Sequence, residues 1–246
     1  MLTEFLALPG AVKAAGADSG VAAHYGNPAA EQRALAAGNA IVDLSHHGVL
    51  TVTGADRLSW LDSVSTQRLN QMSPGDSAET LLLGGTGRIE HAIRVFDDGV
   101  SSWLLVEGAE TQALFEWLDS MRFMLRVEVA DRRAEYSALG TFGSPPLDAA
   151  APNGIPLVWR DPWSAVVPGG YQYALSPEHP APQWTYSEII IERSSMAAAT
   201  SLPHAGTLAL EALRIAAWRP RFATEVDEKS IPHELDWMRS AVHLTK

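Results

Sequence analysis

Three observations in the sequence predict an α+β fold. Strand-like and helix-like runs interleave without the strand–helix–strand rhythm that a parallel sheet requires. Between Thr80 and Val106, three strand-like runs are joined by short glycine-containing turns, as in an antiparallel meander. The chain of 246 residues is 46% hydrophobic with 8 Trp, and a chain of this length buries about 70–75% of its unfolded surface.

The elements follow in order. Residues 1–23 are rich in Ala and Gly with little periodicity and predict a poorly ordered lead-in. Asn27 is placed to cap a helix opened by Pro28, running through Ala37. Ile41–Leu44 and Val49–Thr53 read as strands interrupted by Ser45-His46-His47-Gly48, and Ala55–Val64 has amphipathic helical spacing. Thr80–Leu83 and Ile89–Phe96 flank Gly84-Gly85-Thr86-Gly87 as a hairpin, and Asp97-Asp98-Gly99 turns into a third strand, Val100–Val106. Leu114, Trp117, Leu118 and Met121 form one stripe of a helix over 110–121, before strands at Leu125–Val129 and Ala134–Leu139.

Ser144–Gly154, with Pro145, Pro146 and Pro152, reads as a domain boundary. Short strands are expected beyond it at 156–159, 164–167 and 171–175, and the apolar run Ile189-Ile190-Ile191 reads equally as strand or helix. From Thr207 to Trp218, Leu210, Leu213 and Ala217 follow helical spacing, and Pro220 ends that helix. Residues 219–246, with Pro232 and five acidic against five basic residues, predict an extended crossing segment. The expected division is a lead-in at 1–23, α+β domains at 24–143 and 144–218, and the crossing segment at 219–246.

Charge and composition exclude several classes. A net charge of −11, with 19 acidic against 10 basic residues in the first 150, opposes broad nucleic-acid binding, which needs a basic footprint. Arg132-Arg133 and Arg219-Pro220-Arg221 leave room for a local basic cavity. No apolar run reaches the roughly 18–20 residues of a membrane span, so no membrane association is expected and a cytoplasmic location is the default. With no cysteine, the chain has no disulfide, thiolate metal site or cluster ligands of its own, and no metal site is expected. His46 and His47 would point to opposite faces of a strand, which disfavours joint metal ligation.

The most informative segment is Glu211-Ala212-Leu213-Arg214-Ile215-Ala216-Ala217-Trp218-Arg219-Pro220-Arg221-Phe222, followed by Asp227-Glu228-Lys229-Ser230-Ile231-Pro232-His233-Glu234-Leu235 and ending at His243-Leu244-Thr245-Lys246. It resembles the stretch leading into the Lys-Gly-Cys-Tyr-x-Gly-Gln-Glu signature of YgfZ-type folate-binding proteins, relatives of the glycine-cleavage T-protein, an aminomethyltransferase. Lys246 would be the first residue of that signature, so the chain looks cut just before it. Tyr25-Gly26, Asp43-Leu44-Ser45-His46, Gly87-Arg88-Ile89-Glu90-His91-Ala92-Ile93 and Leu213-Arg214-Ile215-Ala216-Ala217 resemble T-protein segments in the same order, from about His24 to Lys246.

The resemblance implies two mixed antiparallel sheet-and-helix domains of the T-protein folate-binding type, with the C-terminal β-barrel absent from this chain. It also implies tetrahydrofolate or a derivative in a central cavity, with Arg214, Lys246 and Glu90 as binding residues. Arg214 would pair with the glutamate tail, so that Arg214→Ala weakens folate binding with little change in stability. His91 stands where the T-protein has its catalytic Asp, and a histidine there is the candidate proton shuttle. A second departure lies in Val166-Val167-Pro168-Gly169-Gly170-Tyr171-Gln172, where Pro168 stands in place of the carboxylate that pairs with the donor edge of the pteridine.

The loss of both carboxylates argues against an active aminomethyltransferase. The reading is therefore a folate-binding accessory factor that supports iron–sulfur cluster assembly or maintenance, with iron–sulfur enzymes, among them tRNA-modifying ones, as clients. The alternative is a folate-dependent one-carbon transferase that uses His91.

Overall fold

The computed structural model describes residues 3–167 and 169–246. A short hairpin, β1 (Val12–Lys13) and β2 (Ala22–His24), precedes α1 (Pro28–Ala36), whose first turn is capped by the Asn27 side chain accepting from the Ala30 N–H. Next come β3 (Ile41–Asp43), β4 (Gly48–Thr53), α2 (Arg57–Val64) and the meander β5 (Ser77–Leu83), β6 (Ile89–Asp97) and β7 (Ser101–Val106). The chain continues through α3 (Thr111–Met121), β8 (Glu128–Asp131), β9 (Tyr136–Phe142), β10 (Val158–Arg160), β11 (Tyr186–Glu192), α4 (Met196–Ala199) and β12 (His204–Ala205). It ends with α5 (Thr207–Ala216) and α6 (Phe222–Glu225).

The strands form two five-stranded sheets of order β5-β6-β7-β4-β8 and β10-β11-β9-β3-β12, the first antiparallel throughout and the second antiparallel except for β12 beside β3. Their strands are apolar on both faces, which is why they read as continuous hydrophobic runs. In the first sheet, Val49, Phe96, Trp103 and Leu105 face inward, while Leu50, Val95, Leu104 and Val106 pack against Trp60 and Leu61 of α2 and Leu114 and Leu118 of α3. In the second, Ala138, Tyr186 and Ile190 face inward to the same central core, and Leu139, Ile189 and Ile191 face Phe5, Met196 and Ala199 on the other side. The α+β architecture expected from the sequence is therefore built as two stacked sheets, with α2 and α3 outside the first, α4 outside the second, and α1 and α5 contributing Leu35 and Ala209 to the central core. Strands from both sides of the 144–154 loop share the second sheet.

Several local expectations are corrected. Residues 3–23 are tied to the body: Phe5 is fully buried beneath the second sheet. The ambiguous run at 189–191 lies within β11, where it pairs with β9. The expected strand at 164–167 does not form. Asp161 accepts from the Trp163 N–H and turns the chain into a short 3-10 helix at Pro162–Ser164. No strand forms at 171–175 either, because Tyr171 and Tyr173 donate their N–H groups to Met238 O and Asp236 Oδ1 instead of to a sheet. Residues 219–246 are not extended throughout. They fold into α6 and 3-10 turns at Pro232–Leu235 and Trp237–Arg239, which seat Trp237 on Leu81 and Ile89.

Candidate functional site

A cavity of about 80 Å³ opens between the two sheets, where α5 and the segment after it close one end. Trp159, Trp184, Tyr186 and Trp237 supply aromatic wall, and α5 contributes Thr207 and Leu210. The lining holds six carboxylates, Asp18, Glu79, Glu107, Asp161, Glu188 and Glu211, against four guanidiniums, Arg94, Arg214, Arg219 and Arg221. The local basic cavity that the arginines suggested is thus acid-rich.

Strand alternation sets the first polar group. Tyr186, Glu188 and Ile190 share the inward face of β11, so Glu188 is carried into the core by the same pleat that buries its neighbours. Glu188 is fully buried; its Oε1 accepts from Arg94 Nη1 at 2.9 Å and from the Tyr186 hydroxyl at 3.2 Å, whereas its Oε2 has no partner among the described residues. Burial pushes the Glu188 carboxyl above its ordinary range and Arg94 opposes that rise. Arg94 Nη2 lies 3.3 Å from His47 Nδ1. Burial holds the His47 imidazole well below its usual pKa, so the ring is neutral.

The second polar group comes from the end of α5. Trp218 adopts φ 55°, the left-handed conformation that terminates a helix, with Arg219 N–H donating to Arg214 O and Trp218 N–H to Ile215 O. This turn swings Arg219 inward. There it pairs with Asp161 at 2.8 Å and with Glu79, which also accepts from Trp237 Nε1 and Ser240 Oγ. Arg221 closes the outer side, gripping Glu107 through two 2.9 Å contacts, Asp18 at 2.6 Å and Glu211 at 2.9 Å. For Asp18 and Glu107, burial alone would raise the pKa, but hydrogen bonds from Arg221, and for Asp18 from His46, outweigh it and hold both below the usual carboxylate range.

The residues singled out from the sequence are dispersed. Arg214 reaches the cavity lining, yet its guanidinium is engaged by Glu211 at 2.7 Å, Glu225 at 2.9 Å and Thr224 at 3.0 Å. His91 faces the α3 side of the first sheet, with Nδ1 3.0 Å from Glu110, while its neighbours Ala92 and Arg94 line the cavity. Glu90 is exposed, the extra residue where the register shifts from Leu82↔His91 to Leu83↔Ile89. Lys246 donates to the backbone carbonyls of Asp62, Ser65 and Gln67 at the end of α2, away from the cavity.

Pro168 lies outside the described residues. His46 and His47 sit in the turn between β3 and β4 with ring centroids 4.4 Å apart, and no group of three metal-ligating side chains converges among the described residues. Sequence reasoning missed Glu188 and Arg94. The available signal was a charge on the inward-facing parity of an apolar strand, in Tyr186-Ser187-Glu188-Ile189-Ile190 and in Ala92-Ile93-Arg94-Val95-Phe96.

Residues 10–146 match the family described as the GCVT N-terminal domain. A 146-residue stretch covering 57% of the chain is 27% identical to an aminomethyltransferase of Symbiobacterium thermophilum, and a 106-residue stretch covering 43% is 30% identical to one of Synechococcus sp.. The matched stretches span 39% and 30% of those relatives' own lengths. The fold is similar to that of the glycine cleavage system aminomethyltransferase T from Bartonella henselae, with a TM-score of 0.73 at 16% identity over 96% of this chain and 67% of that one.

Proposed function

Because the chain belongs to the family of the GCVT N-terminal domain, we propose that its inter-sheet cavity binds tetrahydrofolate or a derivative and that it acts as a YgfZ-type accessory factor for iron–sulfur enzymes. The observation that carries the binding step is Glu188, a fully buried carboxylate with one free oxygen in an aromatic-lined cavity. A carboxylate in such a setting complements the N–H and amino donors on one edge of a pteridine, and the tryptophans offer faces for the ring. In this reading Glu188 supplies an acceptor in place of the carboxylate that Pro168 replaces.

Pockets for drug-sized ligands run to roughly 300–1,000 Å³. The cavity, at about 80 Å³, accepts a ring edge rather than a whole folate. Binding therefore entails opening at Arg221, whose partners Asp18, Glu107 and Glu211 come from three separate segments.

Binding without aminomethyl transfer follows from the position of His91. A group that manages the proton at a reacting nitrogen must reach it directly or through one water, and His91 is turned to Glu110 on the opposite face of its sheet. The accessory role rests on the resemblance of the 211–246 segment to YgfZ-type proteins. Among the described residues no helix is long and apolar enough to cross a membrane.

The test is a titration followed by the fluorescence of Trp159, Trp184 and Trp237. Tetrahydrofolate is expected to quench it saturably, with no methylenetetrahydrofolate formed when an aminomethyl donor is added. Steady turnover would favour the transferase alternative. Deleting the gene is expected to lower the activity of iron–sulfur enzymes, and wild-type protein but not Glu188→Gln, which keeps an acceptor for Arg94, is expected to restore it.

A further inference from the structure

Three buried polar atoms of cavity-lining residues have no hydrogen-bond partner among the described residues: Glu188 Oε2, His47 Nε2 and Arg219 Nη1. Native interiors rarely leave such groups unpaired, and where they do the cause is functional often enough to require an account. Here the three atoms form a pattern. Arg94 touches two of the residues with the two ends of one guanidinium, Nη1 on Glu188 Oε1 and Nη2 on His47 Nδ1, so the carboxylate and the imidazole stand side by side.

The protonation of His47 follows from the same contact. A guanidinium only donates, so His47 Nδ1 must accept, and a neutral ring that accepts at Nδ1 carries its proton on Nε2. The nearest carboxylate oxygen, Glu107 Oε2, is 3.6 Å from that nitrogen, too far for a hydrogen bond. The cavity-lining residues therefore hold one unpaired acceptor, Glu188 Oε2, and one unpaired donor, His47 Nε2–H, on two side chains bridged by Arg94, with Arg219 Nη1 as a further donor.

Resting on the reading that this cavity receives a pteridine, we infer that His47 is a specificity-determining residue that selects a lactam edge, an N–H beside a C=O, over an aminated edge. In a 4-oxo pteridine the ring N–H donates to Glu188 and the oxygen accepts from His47. In the 4-amino analogue the ring nitrogen turns a lone pair toward the carboxylate and the amino group turns its protons toward the imidazole N–H. Both contacts are then mismatched, and a site built from buried polar groups discriminates strongly against a ligand that leaves them unpaired.

Folic acid and aminopterin differ only in the group at C4, and calorimetric titration of the wild-type protein with each provides the test. Folic acid is expected to bind about ten- to a hundredfold more tightly. His47→Phe is expected to bring the two affinities within a few-fold of each other, whereas His47→Gln, which keeps a donor, retains the preference. Equal or tighter binding of aminopterin to the wild type overturns the role of His47 and leaves the pteridine reading standing. Guanosine has the same lactam edge on a different ring system: guanosine binding without folic acid binding would overturn the pteridine reading and uphold His47, and no binding of any of the three overturns both.

Discussion

Arg94 on β6 and Glu188 on β11 meet at 2.9 Å across the space between the two sheets, joining the sheets through a buried ion pair at the cavity wall. Breaking one side of such a pair leaves the other charge buried and costs about 3–5 kcal/mol. Arg94→Met is expected to lower stability by that order at neutral pH. Adding Glu188→Leu is expected to recover part of the loss, because both charges then leave the interior. Urea unfolding of the two variants checks this; a double variant no more stable than Arg94→Met would mean that the pair is not what couples the sheets.

Arg214 ties the last turn of α5 to α6 through Glu225 and Thr224, and pairs within α5 with Glu211. From the sequence, its loss was expected to spare stability. In the structure Arg214 is buried, while Glu211 and Glu225 remain partly solvated, so Arg214→Ala is expected to cost about 1–3 kcal/mol. The melting temperature reports it, and an unchanged value would return Arg214 to the role of a free ligand group.

Acid should loosen the closure at Arg221. Asp18 and Glu107 are held below their ordinary pKa values, so their stabilisation is complete above the unfolded range near pH 4 and is lost as pH falls through the folded values. Glu188 has the opposite sign, since burial raises its pKa and the penalty eases in acid. Arg221→Ala removes the pairing that depresses Glu107 and part of what depresses Asp18, which keeps His46. The fall in stability between about pH 5 and about pH 2 should then be shallower than in the wild type. Equal slopes in urea midpoints across that range would contradict this assignment.

Much of the fold was legible in local signals. Asn27-Pro28 announced α1, the Gly84–Gly87 turn announced the β5–β6 hairpin, and Gly87 at φ 78° closes it. The failures came where tertiary contacts decide. Phe5 lies in a stretch without periodicity and is ordered by packing against Ile41, Leu139 and Ile189. The 171–175 run satisfies its backbone on residues 236–239, far away in sequence. The cavity was less legible still. The family motif drew attention to His91 and Glu90, while a register shift around Glu90 and the pleat of β6 bring Ala92 and Arg94 to the cavity instead. Glu188 sat unnoticed in an apolar strand because nothing local distinguishes an inward from an outward glutamate until the register is known.

On the proposed reading, Glu188 receives a pteridine between the two sheets. Calorimetric titration of tetrahydrofolate into the wild type and Glu188→Gln tests it most directly. The glutamine keeps the acceptor for Arg94 but turns an amide toward the ligand's donors, so binding should weaken about ten- to a hundredfold while the protein stays folded. Equal affinity in the two proteins, with both folded, would contradict the claim.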